Sequence, residues 1–171
     1  MHALVRVAAS VVVLGLCAHQ ASAQMFVTTG RDTLRGLPGV ELLLEPTPPE
    51  LPHGEMTTPA LRSVIEKRLR DGGITLYASQ AANPSSAKAY LYVQFTTLPV
   101  TESLQAVSIQ VHVRQTVRSS VTESNIVNAM TWDAHTVAAV GPRDGAELRD
   151  LVLEMVGRFV DDWRAVNGAK P

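Results

Sequence analysis

Alternating apolar and polar residues predict β-strands along much of the chain. The clearest alternation covers 106–117, where branched apolar residues from Val107 to Val113 are separated by polar ones. A period of two places the apolar residues on one face of a strand and the polar residues on the other. By the same pattern, or by a short apolar run, strands are also predicted over 40–45, 74–78, 90–98 and 126–140.

Two further segments have apolar residues at helical spacing. The first has Thr58 as a predicted cap and Pro59 as its first helical residue, and it ends at Gly72. The second begins at Asp144, with Glu147 three residues later in the spacing of a capping box. Its apolar stripe consists of Leu148, Leu151, Val152, Met155, Val156, Phe159, Trp163 and Val166. We expect this stripe to face the core.

The order of these elements predicts an α+β fold. Only one face of each long strand is apolar, so both helices are expected on that face of a mainly antiparallel, twisted sheet of four to five strands. The predicted division of the chain is a signal peptide over 1–23, an extended arm over 24–38 and a single α+β domain over 39–168.

The first residues have the three parts of a secretory signal peptide. A basic start ending at Arg6 precedes an apolar run over 7–18, and Ala21 and Ala23 form a small-x-small cleavage site. The run is shorter than the roughly 20 apolar residues of a membrane-spanning helix. We expect cleavage after Ala23 rather than lipidation at Cys17, because the bulky Leu16 precedes that cysteine. The mature chain is therefore expected in the periplasm, soluble or peripherally bound, with no transmembrane helix.

Composition narrows the classes of function. The 171 residues include 15 Lys plus Arg and 16 Asp plus Glu, and this net charge of -1 argues against nucleic acid as a partner. A hydrophobic content of 46% is too high for a disordered chain. We therefore expect a folded module.

Several stretches resemble a group of small exported bacterial proteins of unknown function. They are LRSVIEKRLRDGGI (61–74), YLYV (90–93), SIQVHVRQTV (108–117), TWD (131–133) and FVDDWRAVN (159–167). The element order is also similar to that of the TolB amino-terminal domain and of the curli and penicillin-binding-protein activator lipoproteins. This resemblance implies a module that binds envelope proteins, and it implies no catalytic residue.

The polar face of the predicted sheet is the candidate interaction surface. In 126–140 the alternation places Met130, Trp132 and Ala134 inward, which leaves the intervening residues outward. Glu41 and Glu45 are expected on the outward face as well. The candidate interaction residues are Tyr90, Tyr92, Gln94, Gln110, His112, Arg114, Asp133 and His135. Tyr and Arg are enriched at recognition surfaces, although a purely solvated face is an equally open interpretation.

Other chemistries are weaker alternatives. His112, His135 and Asp133 could ligate zinc if their strands were neighbours, and Ser108 shares a predicted face with His112, as a hydrolase would need. No nucleophile, metal or phosphate-loop motif accompanies them. We therefore predict no catalytic residue, metal or cofactor, and a non-enzymatic module that binds an envelope protein or membrane complex. Binding of a small ligand or metal is the alternative, and a small periplasmic hydrolase is a remote one.

Overall fold

The computed structural model describes residues 27–52 and 54–168. The predicted signal peptide, the first residues of the arm and His53 lie outside the described residues. In chain order, the elements are β1 (Val27–Thr29), a 3-10 turn (Arg31–Leu34), β2 (Gly39–Leu44), α1 (Thr58–Asp71), β3 (Thr75–Tyr77), β4 (Tyr90–Thr101), β5 (Leu104–Arg118), β6 (Asn125–Val140) and α2 (Gly145–Asn167).

The six strands form one sheet in the order β1-β6-β5-β4-β2-β3. The β4–β5, β5–β6 and β1–β6 pairs are antiparallel, whereas β2 runs parallel to both β3 and β4. The parallel β2–β3 pair is connected through α1, since parallel neighbours need a crossover connection. The predicted α+β class and the mainly antiparallel sheet are confirmed, and β1 adds a strand within the segment predicted as an arm.

Both helices contribute to a core on one face of the sheet. From α1, the buried residues are Leu61, Ile65 and Leu69. Phe159 of α2 is fully buried, and its ring centroid lies 5.3 Å from that of Trp132 on β6, in an edge-to-face arrangement. This geometry is one that aromatic pairs prefer. The α2 stripe therefore packs against the inward face of the strands, as its spacing predicted.

The residues before β2 are joined to the sheet and to α2 by buried polar contacts. The carboxylate of Asp162, which is 6% exposed, accepts hydrogen bonds from Trp132 Nε1 (3.0 Å) and Arg31 Nε (2.6 Å). Trp163 Nε1 donates to the carbonyl oxygen of Leu37 (2.9 Å), and Leu37 is itself buried. Such contacts satisfy both indole N–H groups, which buried tryptophans require.

The helix starts differ from the predicted capping in both cases. Helix α1 begins at Thr58, one residue early, and the Thr58 hydroxyl accepts a hydrogen bond from the Thr47 backbone N–H (2.9 Å). Asp144 does precede α2, but its carboxylate accepts from the Gly141 N–H (2.8 Å) and makes no cap hydrogen bond to the helix. Both side chains therefore tie the preceding loop to the helix.

A bulge in the β5–β6 pair overturns one predicted side-chain direction. Val113 pairs with Trp132, but Arg114 pairs with Met130, so β6 has one extra residue, Thr131, at this point. A bulge moves the residues beyond it to the opposite face. The prediction that Met130 lies inward with Trp132 is wrong: Met130 lies beside Arg114 and is 50% exposed. Within the described residues, no helix is long and apolar enough to cross a membrane.

Candidate functional site

The side of the sheet away from α1 and α2 is called the outward face. The strand register brings the eight predicted interaction residues together there, in three rows that cross β4, β5 and β6. The rows are Tyr90, Arg114 and Met130; Tyr92, His112 and Asp133; and Gln94, Gln110 and His135. Glu41 and Leu43 of β2 continue the first two rows, and Glu45 follows directly after β2. Residues far apart in sequence thus form one continuous surface.

Tyr92 is held by contacts on three sides. Its hydroxyl donates a hydrogen bond to the Glu45 carboxylate, and this bond is the main reason that the pKa of Tyr92 is raised. Its ring makes an edge contact with Tyr90, with centroids 6.5 Å apart, and a tilted contact with His112 at 5.1 Å. Tyr92 therefore links the end of β2 to the centre of the outward face.

His112 is buried on this face even though no helix covers it. Its exposed fraction is 2%, and Arg114 Nε donates a hydrogen bond to its Nε2 atom at 3.2 Å. A guanidinium has no acceptor, so this hydrogen bond forms only when Nε2 of His112 carries a lone pair, as it does in the neutral ring with its proton on Nδ1. Burial lowers the pKa of His112, and the charge of Arg114 lowers it further, while Asp133 and Glu45 oppose that shift.

Most of the remaining polar residues of the outward face border a small cavity. Gln94 Nε2 donates to Gln110 Oε1 at 2.7 Å, and His135 Nδ1 lies 3.6 Å from Asp133 Oδ2. The cavity has a volume of about 230 Å³ and is lined by Gln110, His112, Met130, Asp133, Ala134 and His135. This is below the roughly 300–1,000 Å³ of typical small-molecule sites, so the cavity is better described as a recess in a contact surface.

The residues considered for the two alternative chemistries also lie on this face. Among residues 27–52 and 54–168, no group of three or more His, Cys, Asp or Glu side chains is arranged to hold a metal ion, and these ranges include His112, His135 and Asp133. Ser108 lies four residues from His112 along β5, which the rise of a strand makes about 13 Å. The acceptor nitrogen of His112 is already bonded to Arg114.

An apolar region extends the outward face beyond the polar rows, and its residues were not among the predicted interaction residues. Leu98 of β4 and Val137 of β6 are each 65% exposed and lie on either side of Ala106 and Ser108 of β5. We call Leu98, Ala106, Val137 and Ala139 the apolar end. Continuing the alternation of 90–98 and 126–140 would have identified Leu98 and Val137, because both are in phase with polar outward residues.

Comparisons with known proteins assign no family to the chain. No family model matches the chain, and no curated protein matches it. Among solved structures, the chain is similar to a minor lipoprotein from Acinetobacter baumannii, with 9% identity, 76% of this chain and 93% of that chain covered, and a TM-score of 0.32. Similarity at this level supports neither a shared fold nor a shared function. The resemblance to TolB and to the activator lipoproteins therefore stays a prediction.

Proposed function

We propose that the protein is an exported, non-enzymatic module that binds another envelope protein through its outward face, as an accessory subunit on the periplasmic side of a membrane complex. The observation that carries the proposal is that side-chain hydrogen bonds connect the polar residues of this face although neither helix covers it. Three side-chain hydrogen bonds hold it, from Tyr92 to Glu45, from Arg114 to His112 and from Gln94 to Gln110. A merely solvated face needs no such network.

The composition of the outward face also supports binding to a protein. Aromatic residues and Arg are the types most often found at the centre of interfaces, where they combine contact area with a polar group. Tyr90, Tyr92 and Arg114 form such a group, and the apolar end supplies hydrophobic area beside it. Preorganised side chains lose less conformational entropy on binding, so a fixed network favours affinity.

Site-specific photo-crosslinking in the native host tests the proposal. A photoreactive residue is placed at Tyr90 or Val137 on the outward face, and at Lys67 on the exposed side of α1 as the matched control. We expect one envelope protein to be captured from both outward positions and not from Lys67. Capture of the same protein from Lys67 alone, or of nothing from the outward positions, would contradict the proposal.

A captured partner then allows a quantitative test. The affinity of the purified partner is measured for the wild type, for Tyr90→Ala and for the control Lys67→Ala. We expect Tyr90→Ala to weaken binding about tenfold, equivalent to about 1.4 kcal/mol, because truncation of a central interface aromatic removes contact area. The Lys67→Ala variant should bind like the wild type.

A further inference from the structure

The hydrogen bond between Arg114 and His112 joins a charged donor to an acceptor nitrogen that can itself be protonated. A guanidinium group is always charged in proteins, whereas an imidazole changes charge in the physiological range. The two side chains lie on the same face of β5, and Arg114 Nε is 3.2 Å from His112 Nε2. Arg114 is half-buried, so its position contributes to the shape of the outward face.

Protonation reverses the role of the nitrogen that holds Arg114. When His112 takes a proton from solvent at Nε2, that atom becomes a donor and can no longer accept from Arg114. The pair then consists of two adjacent cations, and like charges at hydrogen-bond distance repel. His112 cannot avoid this by turning into water, since it is 2% exposed and its ring contacts Tyr92.

We propose that protonation of His112 releases Arg114 from its place on the outward face and thereby weakens partner binding at acidic pH. The weakening of partner binding rests on the proposed function, whereas the release of Arg114 does not. Tyr92 is also expected to shift when His112 is protonated, because the two rings are in contact.

The groups around His112 determine the pH range of the change. Arg114 on β5 opposes protonation, and so does burial, while Asp133 on β6 and Glu45 after β2 favour it. Tyr92 on β4 contacts the ring, and His135 lies in the neighbouring row on β6, with its Nδ1 atom 3.6 Å from Asp133 Oδ2. Because burial is the largest influence and lowers the pKa of His112, release should occur below the usual imidazole value of about 6.5.

Nuclear magnetic resonance of the whole protein tests the release without any partner. The ring protons of His112 and the Nε–H group of Arg114 are followed from about pH 7.5 to about pH 5, in the wild type, in His112→Gln and in His135→Gln. We expect the Arg114 signal to shift with the same midpoint as the His112 ring in the wild type and in His135→Gln. It should not shift in His112→Gln, whose amide oxygen accepts without titrating. An Arg114 signal that does not shift while His112 titrates would overturn the proposal.

A variant of the half-buried Arg114 provides a second test that leaves the buried histidine in place. Arg114→Met removes the charge while keeping a side chain of similar length. We expect the His112 midpoint to move to higher pH in Arg114→Met, because a neighbouring cation no longer opposes the imidazolium. An unchanged midpoint would show that the two groups are not coupled and would overturn the release.

The regulatory half is tested with the partner captured by crosslinking. We expect the wild type to bind it several-fold more weakly below the His112 midpoint found by magnetic resonance than above it, and His112→Gln to bind it about equally at both pH values. Equal loss of affinity in the two proteins would overturn the regulation and leave the proposed function intact. Failure to capture any partner counts against the proposed function alone, because the magnetic resonance tests do not depend on it.

Discussion

Neighbouring residues of β5 are buried in two different ways. Val111 and Val113 are buried at 0% exposure beneath the helices, in a core that extends to Phe159 and Trp132. His112, between them, is also buried, but on the outward face and by the side chains of adjacent strands. The inward face is thus stabilised by removing a large apolar area from water, whereas the outward face depends on a few directional contacts. Substitutions on the two faces should therefore have different consequences.

The largest effect is expected for Phe159→Ala on the inward face. Truncating a fully buried aromatic residue should lower the free energy of unfolding by about 3–5 kcal/mol, through lost transfer energy and the cavity left against Trp132. Urea denaturation measures this loss in the free energy of unfolding. Phe159→Leu, which fills part of the space, is the control and should lose clearly less. A loss below about 1 kcal/mol for Phe159→Ala would mean that α2 does not cover the sheet.

Asp162→Ala should have the next largest effect. It removes the acceptor of Trp132 Nε1 and of Arg31 Nε, and leaves the buried indole N–H without a partner. We expect a loss of about 1–3 kcal/mol in unfolding free energy, the usual cost of an unsatisfied buried donor. Asp161→Ala, at the exposed neighbouring position, is the matched control and should change stability by less than about 0.5 kcal/mol. Equal effects of the two substitutions would refute the role given to Asp162.

A smaller effect concerns the pH dependence of stability. The pKa of His112 is lowered in the folded protein, so below about pH 6.5 the unfolded chain binds more protons and stability falls with decreasing pH. Unfolding free energies measured from about pH 7.5 to about pH 5 should decline less steeply in His112→Gln than in the wild type. Identical slopes in the wild type and His112→Gln would contradict the burial of a neutral His112.

The smallest effect on stability is expected at Tyr90. This residue is partly exposed on the outward face, and its ring contact is with Tyr92 at 6.5 Å. Tyr90→Ala should therefore change the unfolding free energy by less than about 1 kcal/mol while weakening partner binding. Denaturation and binding, both measured on the same preparation, separate the effect on stability from the effect on partner binding. A large loss of stability would make Tyr90 a structural residue rather than an interface residue.

Most of the candidate site followed from alternation alone. The period-two pattern predicted that Tyr90, Tyr92 and His112 share a face, and the register confirms that they do. The burial of His112 was not predictable from the same pattern, because it depends on neighbouring side chains such as Tyr92, which contacts the ring, and Arg114, which donates to it. Leu98 and Val137 are in phase with the outward polar residues, so the same pattern places them on this face, although a polar-residue criterion does not select them.

Local periodicity was sufficient by itself to determine the α+β class, the approximate extent of the elements and the side of each strand that faces the helices. These properties depend on spacing within a single segment, which the chain carries directly. Tertiary structure alone decided the pairing of β1 with β6, the bulge that turns Met130 outward and the loop bonds of Thr58 and Asp144. Each of these depends on backbone groups distant in sequence or on the register between strands, because a hydrogen bond forms only where the fold brings donor and acceptor together.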